Sequence, residues 1–161
     1  MGDRLRIGVT GHQGLTNKTE ALVADAIARE LQTATAVTGV TSLAEGADQI
    51  FAEQVLRSKG RLEVVIPTLD YITTFAPRGR MTYEKLLNAA TNVVRLEPAT
   101  SDEAAYWAAG QWIVDHCDRL LAVWNGQKAE GLGGTGDVVR YAQEKGVEVI
   151  VVWPEGSSRL G

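Results

Sequence analysis

Short apolar runs along the chain take turns with longer stretches in which apolar residues recur every three to four positions. Leu5, Ile7 and Val9 alternate with Arg6, Gly8 and Thr10, the period of two that suits a strand. Over about residues 18–32, Val23, Ile27 and Leu31 form a helical stripe. Thr16 and Asn17 precede it as caps, with Glu20 placed for a capping box. Ala36 to Thr41 reads as a second strand. A second helix opens at Glu45-Gly46-Ala47-Asp48, turns Ile50, Phe51 and Val55 inward and ends at Gly60. Leu62 to Ile66 is a third strand, stopped by Pro67.

The same rhythm continues to the end of the chain. Residues 68–80, with Tyr71, Phe75, Pro77, Arg78, Gly79 and Arg80, read as the longest irregular stretch, of a kind often used for function. A helix follows over 81–90, then a fourth strand over Asn92 to Leu96. Ser101 caps a helix reaching about His116, and Arg119 to Trp124 is a fifth strand. After the loop Asn125 to Leu132 come a glycine turn over 133–136, a helix over Asp137 to Lys145 and a sixth strand over Val147 to Trp153. Alternation of this kind predicts an α/β fold: a Rossmann-like, doubly wound, mainly parallel sheet of about six strands with helices on both faces. The nearly unbroken apolar runs Leu120–Trp124 and Val149–Trp153 suit strands covered on both sides. No repeat or linker interrupts the pattern, so one domain over 1–161 is expected.

Composition narrows the picture. Apolar residues make up 45% of 161 and charged residues 22%, enough for a substantial core. The net charge of -4, with scattered Lys and Arg, argues against nucleic acid as a partner. No apolar run approaches the roughly 20 residues that cross a bilayer. No signal-peptide pattern follows Met1, so a cytoplasmic location without membrane association is expected. The one cysteine, Cys117, excludes an intrachain disulfide. Its Trp/Ile/Val-rich stretch makes it read as a core thiol, and its neighbour His116 would not face it on a helix as a catalytic partner. There is no metal-ligand spacing, no Gly-x-Ser-x-Gly elbow and no Walker lysine, so no metal or cofactor is called for. Four tryptophans and the helix over Ala104 to Trp112 suit a subunit interface, a homo-dimer or larger.

In such sheets ligands bind beyond the carboxyl ends of the strands. The candidates are therefore Gly11, His12 and Gln13; Glu45, Gly46 and Asp48; Glu97; Trp124, Asn125 and Gly126; and Gly133, Gly134, Thr135, Gly136 and Asp137. The segment Gly131 to Asp137 is the most informative. Its glycines admit an anion close to backbone N–H groups, and the following helix adds about half an elementary positive charge. A plain connecting loop is the alternative. His12 suits contact with a phosphate or base, or a solvated loop. Asp48 suits ribose binding or helix capping, and Glu45 fits binding better than capping. Trp124 is placed to stack on a base or to sit in the core, with Asn125 beside it to read a base edge. Arg78 and Arg80 are candidates to close over phosphates.

Three stretches together resemble the SLOG superfamily, the Rossmann-like group joining DNA-processing protein A (Smf) with the LOG phosphoribohydrolases. They are Val9 to His12, Ser42 to Asp48, and Cys117 to Trp124 running into Gly133–Gly136. The second is similar to the Ala-Arg-Gly-Ile-Asp segment of the DNA-processing branch. The resemblance implies a site between the first turn and the glycine turn for nucleotides or their derivatives. Its members include enzymes, sensors, molybdenum cofactor carriers and single-stranded DNA binders. The LOG enzymes carry Pro-Gly-Gly-x-Gly-Thr-x-Glu-Glu. The matching residues here run from Leu132 to Arg140, with Val139 and Arg140 at the two Glu positions. The glycines match and the acidic pair does not. The leading expectation is therefore binding or sensing of a nucleotide-like phosphorylated molecule, such as a nucleoside phosphate or ADP-ribose-like compound. A LOG-type N-glycosidase is the alternative, with Glu45 or Asp137 as the acid. A molybdenum cofactor carrier and a single-stranded DNA binder are further ones.

Overall fold

The computed structural model describes residues 4–68, 70–128 and 134–160. Its elements alternate as the pattern predicts. They run β1 (Leu5–Gly11), α1 (Asn17–Leu31), β2 (Val37–Thr41), α2 (Ala47–Arg57), β3 (Arg61–Ile66), a 3-10 turn (Tyr71–Thr74), α3 (Pro77–Asn88), β4 (Asn92–Arg95), α4 (Asp102–Asp115), β5 (Arg119–Val123), α5 (Thr135–Glu144) and β6 (Glu148–Val151). The six strands form one sheet in the order β4-β3-β2-β1-β5-β6, and every pairing is parallel. The fold is α/β, Rossmann-like and doubly wound.

The chain winds outward from β1 to β4 and then returns to lay β5 on the other side of β1. The strand order thus reverses at the β1/β5 boundary, where Gly11 stands opposite Val123. Side-chain alternation divides the core into two layers. Ile7 and Val9 pack with Val23, Ile27 and Phe51 on the side of α1, α2 and α3. Val40, Val65 and Leu120 pack with Ile113, Val114 and Val138 on the side of α4 and α5. Helix α4 lies so close to β1 that a Cβ at Gly8 would stand 2.6 Å from Ile113 Cγ2. Any larger residue there forces the layer apart.

Two local expectations are corrected. The capping box does not form: Thr16 is the N-cap of α1 and its hydroxyl accepts the Thr19 N–H, which leaves Glu20 one position too far along. The stretch 68–80 is mostly regular, because Pro77 begins α3 where its missing N–H costs nothing. Arg78 and Arg80 therefore sit exposed on that helix. After β6 the chain doubles back as a strap. Ser158 N–H donates to Thr19 Oγ1, Leu160 N–H donates to Gly14 O, and Arg159 bridges antiparallel to Leu15. Cys117 is half-buried, and burial pushes its thiol up to about 11, so it stays protonated. Among the described residues no helix is long and apolar enough to cross a membrane.

Candidate ligand-binding cleft

The carboxyl ends of the strands open into a cleft of about 760 Å³ at the β1/β5 reversal. Its floor is the corner between β2 and α2. Leu43, fully buried, is held there at φ 59°, a left-handed conformation that side chains disfavour. Asp48, from the first turn of α2, braces this corner: its Oδ2 accepts the Ala44 N–H at 3.2 Å. It also takes hydrogen bonds from the Thr41 hydroxyl and the Ser42 N–H. Burial is the larger influence and pushes the Asp48 carboxyl up to about 7 in spite of these donors. Beside it the hydroxyl of Ser42, a residue 8% exposed, finds no hydrogen-bond partner among the described residues.

One wall comes from the segment after β3. Pro67, Tyr71, Thr74 and Phe75 line it together with Tyr106 from α4. The Tyr71 ring meets Phe75, Tyr83 and Tyr106 edge to face at 5.0, 5.8 and 6.0 Å. Burial raises the Tyr71 phenol far above its ordinary range, so the wall stays neutral. Glu45 fills the space between this wall and the floor. Its Oε1 accepts the Ala76 N–H at 3.1 Å, at the start of α3, and Gly79 leaves room for its carboxylate.

The opposite wall is the first turn, the segment after β5 and the start of α5. His12 is buried at their junction, and its Nε2 accepts the Asn125 N–H at 3.1 Å. Its ring stands edge-on to Trp153 at 5.7 Å. Burial first, and Arg159 second, hold its pKa below 6.5, so the ring is neutral. Asn125 Oδ1 accepts the Gln127 N–H, and the Trp124 indole donates to Gln127 O. These bonds shape the loop. Gly134 is the N-cap of α5 and supplies no side-chain cap, so the amino end of this helix meets the cleft through Gly134, Thr135 and Gly136. Lys128 and Arg159 line the same side.

Gly11, His12, Gln13, Glu45, Asp48, Trp124, Asn125, Gly134, Thr135 and Gly136 all line the cleft. Four candidates stand outside that lining. Glu97 is exposed past β4, the edge strand farthest from the reversal. Gly46 serves packing: at φ 87° a Cβ would stand 2.6 Å from His12 O. Gly126 takes φ 84° in a turn with open space around it. Asp137 pairs along the helix with Arg140 at 3.3 Å. Gly131, Leu132 and Gly133 lie outside the described residues. Sequence reasoning missed Ser42, the aromatic role of Tyr71 and Tyr106, and the two cations Lys128 and Arg159. Arg159 carried no local signal, because only the strap brings it back across the first turn.

No protein-family model matches the chain, and no curated protein matches it. Solved structures do. DNA-processing protein A from Streptococcus pneumoniae aligns over 92% of this chain and 50% of its own, at 19% identity and a TM-score of 0.65. The same protein from Helicobacter pylori, described in a single-stranded DNA binding mode, aligns over 96% of this chain and 68% of its own, at 18% identity and 0.68. The fold is theirs. The molybdenum cofactor binding protein of Rippkaea orientalis shares it as well, over 92% of this chain and 76% of its own, at 18% identity and 0.57. The likeness to these structures is one of fold, the Rossmann-like architecture expected from the sequence. The chain spans about half the length of the Streptococcus protein.

Proposed function

We propose that this protein binds a small phosphorylated, nucleotide-like molecule in the cleft at the strand reversal. The observation that carries the reading is the pairing of an anion-attracting wall with an aromatic one. Helix α5 opens its amino end on one side beside Lys128 and Arg159, and Tyr71, Phe75 and Tyr106 line the other. The helix end and the two cations favour a phosphate. The aromatic rings favour a flat heterocycle. The cleft size suits one such ligand. The molybdenum cofactor binding protein has the same fold, which supports a carrier or sensor of a small ligand.

Glycosidase chemistry receives less support. A carboxylate must stand beside the bond that breaks. Val139 is buried in the core, Arg140 and Asp137 pair with each other, and the Glu45 carboxylate is engaged by the start of α3. Single-stranded DNA binding is a second reading, favoured by the Helicobacter protein's described binding mode. Against it stand the net charge of -4 and Glu45, which occupies the Arg position of the Ala-Arg-Gly-Ile-Asp segment.

The test is thermal unfolding with AMP, ADP, ADP-ribose and a short oligonucleotide. A ligand at 100 times its dissociation constant stabilises the chain by about 2.7 kcal/mol. A rise in Tm with a mononucleotide supports the reading. A rise with the oligonucleotide alone, collapsing with salt, replaces it with DNA binding.

A further inference from the structure

A buried hydroxyl without a partner is uncommon, because it forfeits its bonds to water and gains nothing in return. Ser42 Oγ is in that position, on a residue that lines the cleft. Its neighbours fix it firmly. Asp48 ties down Ala44 and Ser42 on either side of the strained Leu43, and the Thr41 hydroxyl accepts the Leu43 N–H at 3.1 Å. Strain held in place by a hydrogen-bond network is a mark of a functional corner.

The topology sets where this corner lies relative to the phosphate wall. Ser42 follows β2, and the loop leading to α5 follows β5; β1 alone stands between those two strands. Two strand spacings are roughly 10 Å. One phosphate cannot reach both ends, whereas a molecule with a phosphate at one end and a heterocycle at the other can. Pro67 and Tyr71, after the adjoining strand β3, border the Ser42 corner and offer apolar surface to a flat ring.

We propose that Ser42, with Asp48 behind it, forms a base-reading subsite, so that the cleft selects a nucleoside 5′-monophosphate over a sugar phosphate. This rests on the phosphate-binding reading above and adds which end of the ligand goes where. The Ser42 hydroxyl bonds the edge of the base, Tyr71 packs against it, and the phosphate lies at Gly134–Gly136. The raised pKa of Asp48 agrees with this placement, since below pH 7 the carboxyl is mostly neutral and leaves little charge beside the base.

Calorimetric titration of the full chain with AMP, GMP, CMP and UMP, with ribose 5-phosphate as the reference, tests the assignment. In the wild type the best monophosphate binds at least tenfold more tightly than ribose 5-phosphate. In Ser42→Ala that monophosphate loses about five- to tenfold in affinity, the worth of one ordinary hydrogen bond. Ribose 5-phosphate binding does not change, and the Tm of the unliganded variant is equal or higher. Equal loss for both ligands, no loss for either, or a lowered Tm makes Ser42 a structural residue and overturns the subsite. A wild type that binds ribose 5-phosphate as well as any monophosphate overturns it too, while leaving the phosphate wall standing. A wild type that binds none of these probes removes the phosphate reading and the subsite together.

Discussion

The two ends of the sheet are built to opposite rules. At the amino-terminal end the polar groups close on one another. Glu63, nine-tenths buried on β3, receives the Arg6 guanidinium on one oxygen and the Asn92 amide on the other. Arg6 also donates through Nε to His116 O, and its backbone N–H to the Asp118 carboxylate. Arg119 pairs with Glu148 and reaches the Thr33 hydroxyl. At the carboxyl end, within about one strand length, burial disfavours the charged form of Asp48, Ser42 lacks a partner and Leu43 is strained. The same strands thus hold stability at one end and unspent interactions at the other. Such local conflicts mark the places where a fold has been shaped for something besides folding.

The largest expected effect is a difference in how the two ends respond to pH. Asp48 has a folded pKa of about 7 against a reference of 3.8. The folded state therefore holds its proton more tightly. Its contribution is full below pH 4 and is lost as the pH rises toward 7, by on the order of 4 kcal/mol. Asp48→Asn should flatten the wild-type decline in urea stability across that window. An unchanged decline would place the cause elsewhere.

Glu63 answers in the other direction. Burial pushes its carboxyl up, but the Asn92 amide and the Arg6 guanidinium outweigh that and hold it below its ordinary value. Its contribution is present at neutral pH and is lost as the pH falls through the acid range below 4.5. Glu63→Ala leaves both donors short of their acceptor and should cost about 2 kcal/mol at pH 7, with ligand affinity intact. A loss of affinity without a loss of stability would erase the division between the two ends.

Arg159→Ala should weaken mononucleotide binding several-fold, more at low salt than at high, because an exposed cation acts through a screened field. Indifference to salt would show that the cation is not near the phosphate. Ser42→Ala is the smallest change. Removing an unpartnered buried hydroxyl should stabilise the unliganded chain by up to about 1 kcal/mol, read from the urea midpoint. A loss would mean that the hydroxyl has a structural partner.

Much of the fold was written in hydrophobic periodicity. The runs at Leu120–Val123 and Val37–Thr41 alternate with helical stripes such as Val23-Ile27-Leu31, and each became the expected element. What periodicity does not carry is the order of strands. Glu97 followed a strand as properly as Glu45 did, yet β4 is an edge and β2 adjoins the centre. Pro77 reads equally well as a loop residue or as the first residue of a helix; in the structure it opens α3, with the Ala76 N–H ahead of it donating to Glu45. Ser42 was hidden because its distinction is the absence of a partner, which no sequence displays. Arg159 was hidden because the strap joins positions about 145 residues apart.

The most direct test of the cleft is a backbone amide NMR titration of the unliganded chain with the mononucleotide that raises the Tm most. Binding at the strand reversal predicts shifts at Gly11–Gln13, Ser42–Ala44 and Gly134–Gly136, with Arg6, Glu63 and Asn92 unmoved. Shifts centred on the amino-terminal end, or spread along the exposed face of α3 with Gly134–Gly136 unmoved, would contradict it.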